Sequence, residues 1–282
     1  MASAGKDIKM RANSIESTHK ITKAMGLVAS SKIVKAKERV ERSRPYFQIM
    51  YDTLQEISGT GIDFKSPYLS HHNVKTTCVV VLGGDRGLAG GYNSALFREA
   101  DALMKEKDVK VFPIGKKCVE HYLRKEVSIL NQCYSITDEI TVGNCFEISK
   151  VLCNGFLNST FDEVILVYTH FVSMMEQLPV RLDLLPLSKE KPNKKEKPGS
   201  MMEYEPNGET VYNAVVPEYV AGVLYGALCE ALASEHAARR MAMDVASKNA
   251  QEMLDELYLE YNRVRQAIIT QEITEIVAGS EE

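Results

Sequence analysis

VAGVLYGALCEALASEHAARRMAMDVASKNAQEMLDELYLEYNRVRQAIITQEITEIV, residues 220–277, has no proline and only two glycines, Gly222 and Gly226. At ~1.5 Å rise per residue, an uninterrupted helix of this length is a rod of roughly 85 Å. Globular proteins rarely use helices much longer than ~12 residues. A second long helical signal begins near residue 6 and runs to residue 44. There Pro45 is expected to kink or end it, because an internal proline removes a backbone hydrogen bond. Two such helices at opposite ends of one chain predict an antiparallel coiled coil, a shaft or lever rather than an enzyme core.

Apolar heptads support this reading. Steps of four and three link Ile8, Ala12, Ile15, His19, Thr22, Gly26, Ala29, Ile33, Ala36 and Val40. The same steps link Leu224, Ala227, Ala231, Ser234, Ala238, Met241 and Val245. A phase-shifted run follows: Leu254, Leu257, Tyr261, Val264 and Ile268. A sustained 3.5-residue repeat is the coiled-coil signature, and the shift near Lys248 marks a local change of supercoil. Both seams are rich in small residues, which let backbones approach but bury little area at ~25 cal/mol per Å². Such a thin shaft is expected to lean on surrounding partners.

The 282 residues carry a net charge of −4, ordinary for one or two globular domains. The charge is unevenly placed. Residues 1–44 hold eleven Lys or Arg against four acids, and residues 251–282 hold eight acids against Arg263 and Arg265. Opposite signs favour pairing of the two helices, though each exposed ion pair gives only ~0–1 kcal/mol. The basic helix could also meet an acidic partner or nucleic acid. No run of 18 apolar residues suggests a membrane span, and the N-terminus lacks an apolar signal core. Six cysteines (Cys78, Cys118, Cys133, Cys145, Cys153 and Cys229) form no C-x-x-C pair and read as buried thiols rather than a disulfide framework.

Between the helices the pattern alternates. Residues 74–82, from 109 (VKVFPIG), 163–171 and 180–187 read as strands, the last near an edge. Helical patterns follow through Leu96, Ala100, Leu103 and Met104, then over 116–125 and 146–157. Strands alternating with helices predict a Rossmann-like α/β domain with a largely parallel sheet, inserted into the long antiparallel coiled coil of the terminal helices. The expected division is an N-terminal shaft helix at 1–58 and an α/β domain at 74–188. A charged loop and foot segment follows at 189–216, then a C-terminal shaft helix at 217–282.

GGDRGLAGGYN, residues 83–93, sits where phosphate loops sit in α/β folds. It matches neither G-x-x-x-x-G-K-[ST] nor G-x-G-x-x-G, so a tight strand-to-helix turn is the better account. No histidine forms H-E-x-x-H or a Cys/His metal pattern, and no serine lies in G-x-S-x-G. No catalytic, cofactor or metal residue is therefore assigned. His71 and His72 read as an exposed pair, and His19 as a packed seam residue. The Lys-rich run 189–197 reads as a solvated loop. Arg239 and Arg240 are either solvent-facing or contacts to an acidic partner.

ITKAMGLVASSK (21–32), RPYF (44–47), ASEHAARRMAM (233–243) and YNRVRQAIITQEITEIVAGS (261–280) closely resemble the gamma subunit of F-type ATP synthases. GDRGLAGGYN is similar to that family's glycine-rich motif, with Ala89 where many members carry cysteine. The chain lacks the cysteine-bearing insertion of the chloroplast form and opens directly into its first helix, as bacterial members do. The resemblance implies a non-catalytic rotor shaft at the cytoplasmic face of a bacterial cell membrane, which it meets only through its complex. It implies as partners the alpha and beta subunits of the catalytic hexamer, the epsilon subunit and the membrane c ring, with no cofactor and no nucleic acid. By matching motifs, Met25, Arg239, Arg265, Gln266, Thr270, Glu272 and Glu275 would contact beta subunits. Tyr204 and Glu205 would contact the c ring, with Met202 where a tyrosine is often found. Setting Met25 level with Arg239 makes Gly26 face Ala238, Ile33 face Ala231 and Val40 face Leu224, and brings Ile8 near Glu256. Ile15 and Val245 complete the expected seam. A coiled-coil adaptor that binds nucleotide at the glycine loop is the competing reading.

Overall fold

The computed structural model describes residues 2–59, 66–69, 74–131, 141–187 and 204–280. Its sheet is built from β1 (Thr76–Leu82), β2 (Asp108–Ile114), β3 (Glu163–Phe171) and β4 (Gln177–Leu185), in the order β2-β1-β3-β4. The first three are parallel, and β4 pairs antiparallel with β3 at the edge. β1 is almost wholly buried because helices cover both faces, which is why TTCVVVL reads as a continuous apolar run. On one face lie α2 (Tyr92–Glu106) and α3 (Lys116–Leu123), which pack Leu96, Ala100 and Tyr122 onto Val79, Val81 and Val167. The other face carries α4 (Val142–Leu157) and parts of the terminal helices α1 (Ala2–Gly59) and α5 (Gly208–Ser280). Val216, Val220, Ala221, Leu224 and Leu228 of α5 share a core with Val80, Leu82 and Leu166. The C-terminal helix is therefore also a core layer of the α/β domain.

Pro45 does not end α1, which continues through it to Gly59. A proline inside a helix costs ~3 kcal/mol. Beyond it the helix buries Leu54 and Ile57 against the sheet and sets Phe47 beside Tyr225, and this packing outweighs the lost hydrogen bond. Likewise α5 begins at Gly208 and runs through Pro217, whose carbonyl accepts a 2.6 Å hydrogen bond from Ser149 Oγ on α4. By length and composition α5 could cross a membrane, contrary to the expectation from the sequence, but 61% of its most apolar stretch is buried inside the protein. A core helix of this kind is apolar on nearly every side.

The chain falls into two units, Lys32–Ala238 and Met1–Ser31 with Arg239–Glu282. In the second, α1 and α5 pair as an antiparallel coiled coil. Ala12, Leu254 and Leu257 are buried there with Ile8 and Ile15 beside them. Thr22 Oγ1 and Ser247 Oγ share a 2.7 Å hydrogen bond, and His19 Nδ1 lies 3.0 Å from the Ser247 carbonyl. His19 is thus a packed seam residue. A side chain at Gly26 would meet Met243 and Asp244, not the expected Ala238, so the register is offset by five positions along α5. In the larger unit Gly222 meets Phe47. Val245 is corrected as well. It is 57% exposed, Met241 is exposed too, and Met243 and Ala250 take the buried places. The seam passes Met243, Ser247, Ala250, Leu254 and Leu257, so the change of phase precedes Lys248.

Candidate functional site

In open α/β sheets ligands bind at the carboxyl ends of the strands, where the strand order reverses. Here that point lies between β1 and β3, and α5 occupies it. Ser234 Oγ donates to the Thr169 carbonyl at the end of β3, at 3.1 Å. The buried Tyr92 hydroxyl donates to the Ala231 carbonyl, also at 3.1 Å. The glycine loop is spent on its own architecture. Gly83 N donates to Ile114 O, Gly84 N to Asn93 Oδ1, and Lys116 N at the start of α3 to Asp85 Oδ1 at 2.8 Å. Asp85 of the loop thus caps the start of α3 and ties the loop to the neighbouring strand-to-helix turn. A Cβ on Gly84 would come within 2.7 Å of the Glu235 carboxyl carbon, so the loop lies directly against this side chain of α5. The loop is a clasp on the helix.

A cleft of about 340 Å³ opens at the other end of the strands, among Tyr51, Leu54, Leu182, Pro186, Tyr212 and Tyr219. Two of its carboxylates are already engaged. Asp162 accepts from the backbone of Lys75 and Thr76, and Glu163 pairs with Lys107 at 2.6 Å. Among the described residues no group of three His, Cys, Asp or Glu could hold a metal. Five cysteines are buried and free of disulfides, while Cys133 lies outside the described residues, as do His71, His72, Met202 and the run 189–197. Burial pushes the Cys78 and Cys145 thiols up to about 12 and Cys153 to about 11, so none is a nucleophile near neutral pH.

The residues assigned to partner contacts are distributed as follows. Met25 is half-buried on the paired helices, with Leu27 and Val28 exposed beside it. Arg239 is only 7% exposed, so it is not a solvent-facing charge. Arg240 is the more open of the two, donating to Ser30 Oγ at 2.6 Å and lying 3.7 Å from Asp244. Arg265, Gln266, Thr270, Glu272 and Glu275 are exposed along α5, where Gln271 bonds Glu275 and Thr270 bonds the Gln266 carbonyl. Around them Ile269, Ile273, Ile276 and Val277 present apolar side chains to solvent. Tyr204 is half-buried with its hydroxyl out of solvent, and Glu205 is exposed. Ile33 and Ala231 are buried, Gly26 is buried, and Ile15 and Ala238 are partly so. Sequence reasoning missed buried Glu235 and His236, because charged residues on an alanine-rich helix give no periodic signal of burial.

A family model described as ATP synthase matches residues 4–281. The ATP synthase gamma chain of Ruminococcus albus is 41% identical over 280 residues, covering 98% of this chain and 97% of the relative. The chain belongs to the ATP synthase gamma chain family. The sodium-ion-specific ATP synthase gamma chain of Acetobacterium woodii is 37% identical, over 100% of this chain and 99% of the relative. Among solved structures, a chain of the central stalk and c ring of Tetrahymena thermophila mitochondrial ATP synthase superposes with a TM-score of 0.61 at 25% identity. That match covers 80% of this chain and 99% of the other.

Proposed function

We propose that the chain is the turning central shaft of a rotary ATP synthase and performs no chemistry itself. Ion flow through a membrane c ring would turn it, and its asymmetric surface would favour a different state at each of three beta-subunit sites in turn. That is a mechanism of differential contacts, not of catalysis. The single observation that carries the reading is the C-terminal part of α5. Ile269, Ile273, Ile276 and Val277, spaced i, i+4, i+7 and i+8, form an exposed apolar stripe along this part of the helix. An unpartnered apolar stripe on a projecting helix calls for a partner that covers it, and an alpha–beta hexamer around the shaft would be such a sleeve.

In this reading Met25, Arg239, Arg265, Gln266, Thr270, Glu272 and Glu275 belong to the beta-subunit contact, with Arg239 acting from beneath the surface. Tyr204 and Glu205 belong to the c-ring contact, and epsilon sits beside the α/β domain. The complex is placed at the cytoplasmic face of a bacterial membrane. Purification at native mass with identification of partners tests this: the expected result is recovery with alpha, beta, epsilon and c subunits. Recovery of the chain alone, or with nucleic acid at low salt, would contradict it.

A further inference from the structure

The stretch of α5 from Glu230 to Glu235 is fastened by more polar bonds than an apolar helix on a sheet requires. Toward β3, Glu230 Oε2 lies 2.7 Å from His170 Nδ1. Ser234 Oγ donates to the Thr169 carbonyl one residue along. Toward β1, Tyr92 donates to the Ala231 carbonyl, and Glu235, only 4% exposed, presses its carboxylate on Gly84. Positions 230, 231, 234 and 235 stand on neighbouring turns of one helix, so bonds reach it from both flanks at one level.

Apolar packing alone would hold the helix here, and a buried carboxylate is costly where a hydrocarbon would fit. Directional bonds add something packing lacks: they fix rotation and register, because a turned helix leaves donors and acceptors unpaired. We propose that this collar is a torsional lock, in which Glu230 and Glu235 are positioning residues that prevent α5 from rolling within the α/β domain under load. Torque reaching the domain then passes into the helix without slack. This inference rests on the rotor reading above.

The test uses the assembled complex with its hexamer fixed to a surface and a bead attached through Lys105→Cys, an exposed α2 position, in a Cys133→Ser background. The angular spread of the bead during catalytic pauses measures the stiffness of the joint. In Glu230→Ala/Glu235→Ala the spread is expected to widen about twofold while the ATP hydrolysis rate is unchanged. Gly84→Ala/Glu235→Ala refills the vacated space without restoring the carboxylate, and should also widen the spread even if the first variant assembles poorly. Unchanged spread in Gly84→Ala/Glu235→Ala would overturn the lock with the rotor reading intact. A bead that never turns on the otherwise unaltered chain would overturn the rotor reading, and the lock with it.

Discussion

Gly222 and Gly26 show how differently two helical glycines can behave. Each costs roughly 1 kcal/mol of helix propensity against alanine. A Cβ at Gly222 would fall within the Phe47 ring, whereas one at Gly26 would stand 3.5 Å from Asp244 Oδ1 and 3.8 Å from Met243 Cβ, ordinary contact distances. Gly222→Ala should therefore lower stability by ~1–3 kcal/mol through overpacking, while Gly26→Ala should be neutral or stabilising. Chemical denaturation of both variants measures the contrast. Gly26 was legible as a seam position from its heptad, but the need for glycine at Gly222 was not. Its partner, Phe47 in the RPYF motif, lies 175 positions away and follows a proline expected to stop the helix. The buried thiols carry a pH prediction at the same scale. Cys78 and Cys145 rise from an ordinary 9.0 to about 12 because burial penalises the thiolate. The unfolded chain releases these protons first, so their contribution to stability is intact below pH 9 and is lost between 9 and 12. Denaturation midpoints should fall across that window, and a flat profile would contradict the burial argument.

At the scale of the element, α5 changes character along its length. Near Leu224 it is a core helix, near Leu254 one half of a coiled coil, and beyond Ile268 a strand of exposed apolar residues on a single helix. Its length was legible from the absence of proline, since Pro217 was the only internal exception. The register was not. A seam of Ala, Gly, Ser and Thr has no large knob to distinguish one turn from the next, so the five-position offset costs the heptad pattern nothing visible. The Thr22–Ser247 and Arg240–Ser30 bonds and the contacts at Gly5 and Gly26 distinguish the true pairing. Deleting residues 278–282 should leave coupled ATP hydrolysis largely intact, while truncation after Gln266 should lower assembly and torque. Hydrogen exchange gives the direct measure of the tip. Residues 269–277 should exchange quickly in the free chain and slowly within the hexamer, and equal protection in both would rule out the sleeve.

For the whole molecule, the alternation of strands and helices and the edge position of β4 could be read in advance, because buried parallel strands leave long apolar runs. The departure of the glycine loop from the phosphate-loop patterns was legible from its missing lysine. What was not legible is that α5 fills the crevice and that Asp85 caps α3. Equilibrium dialysis of the isolated chain against ATP should accordingly show no saturable binding, and a stoichiometric site would restore the adaptor reading. The central claim is that this chain turns. The most direct measurement is bead rotation on a surface-anchored hexamer, with the bead bonded through Lys105→Cys and ATP supplied. The account predicts sustained rotation in one direction that stops when ATP is removed. Hydrolysis at the full rate beneath a bead that only fluctuates about one angle would contradict it.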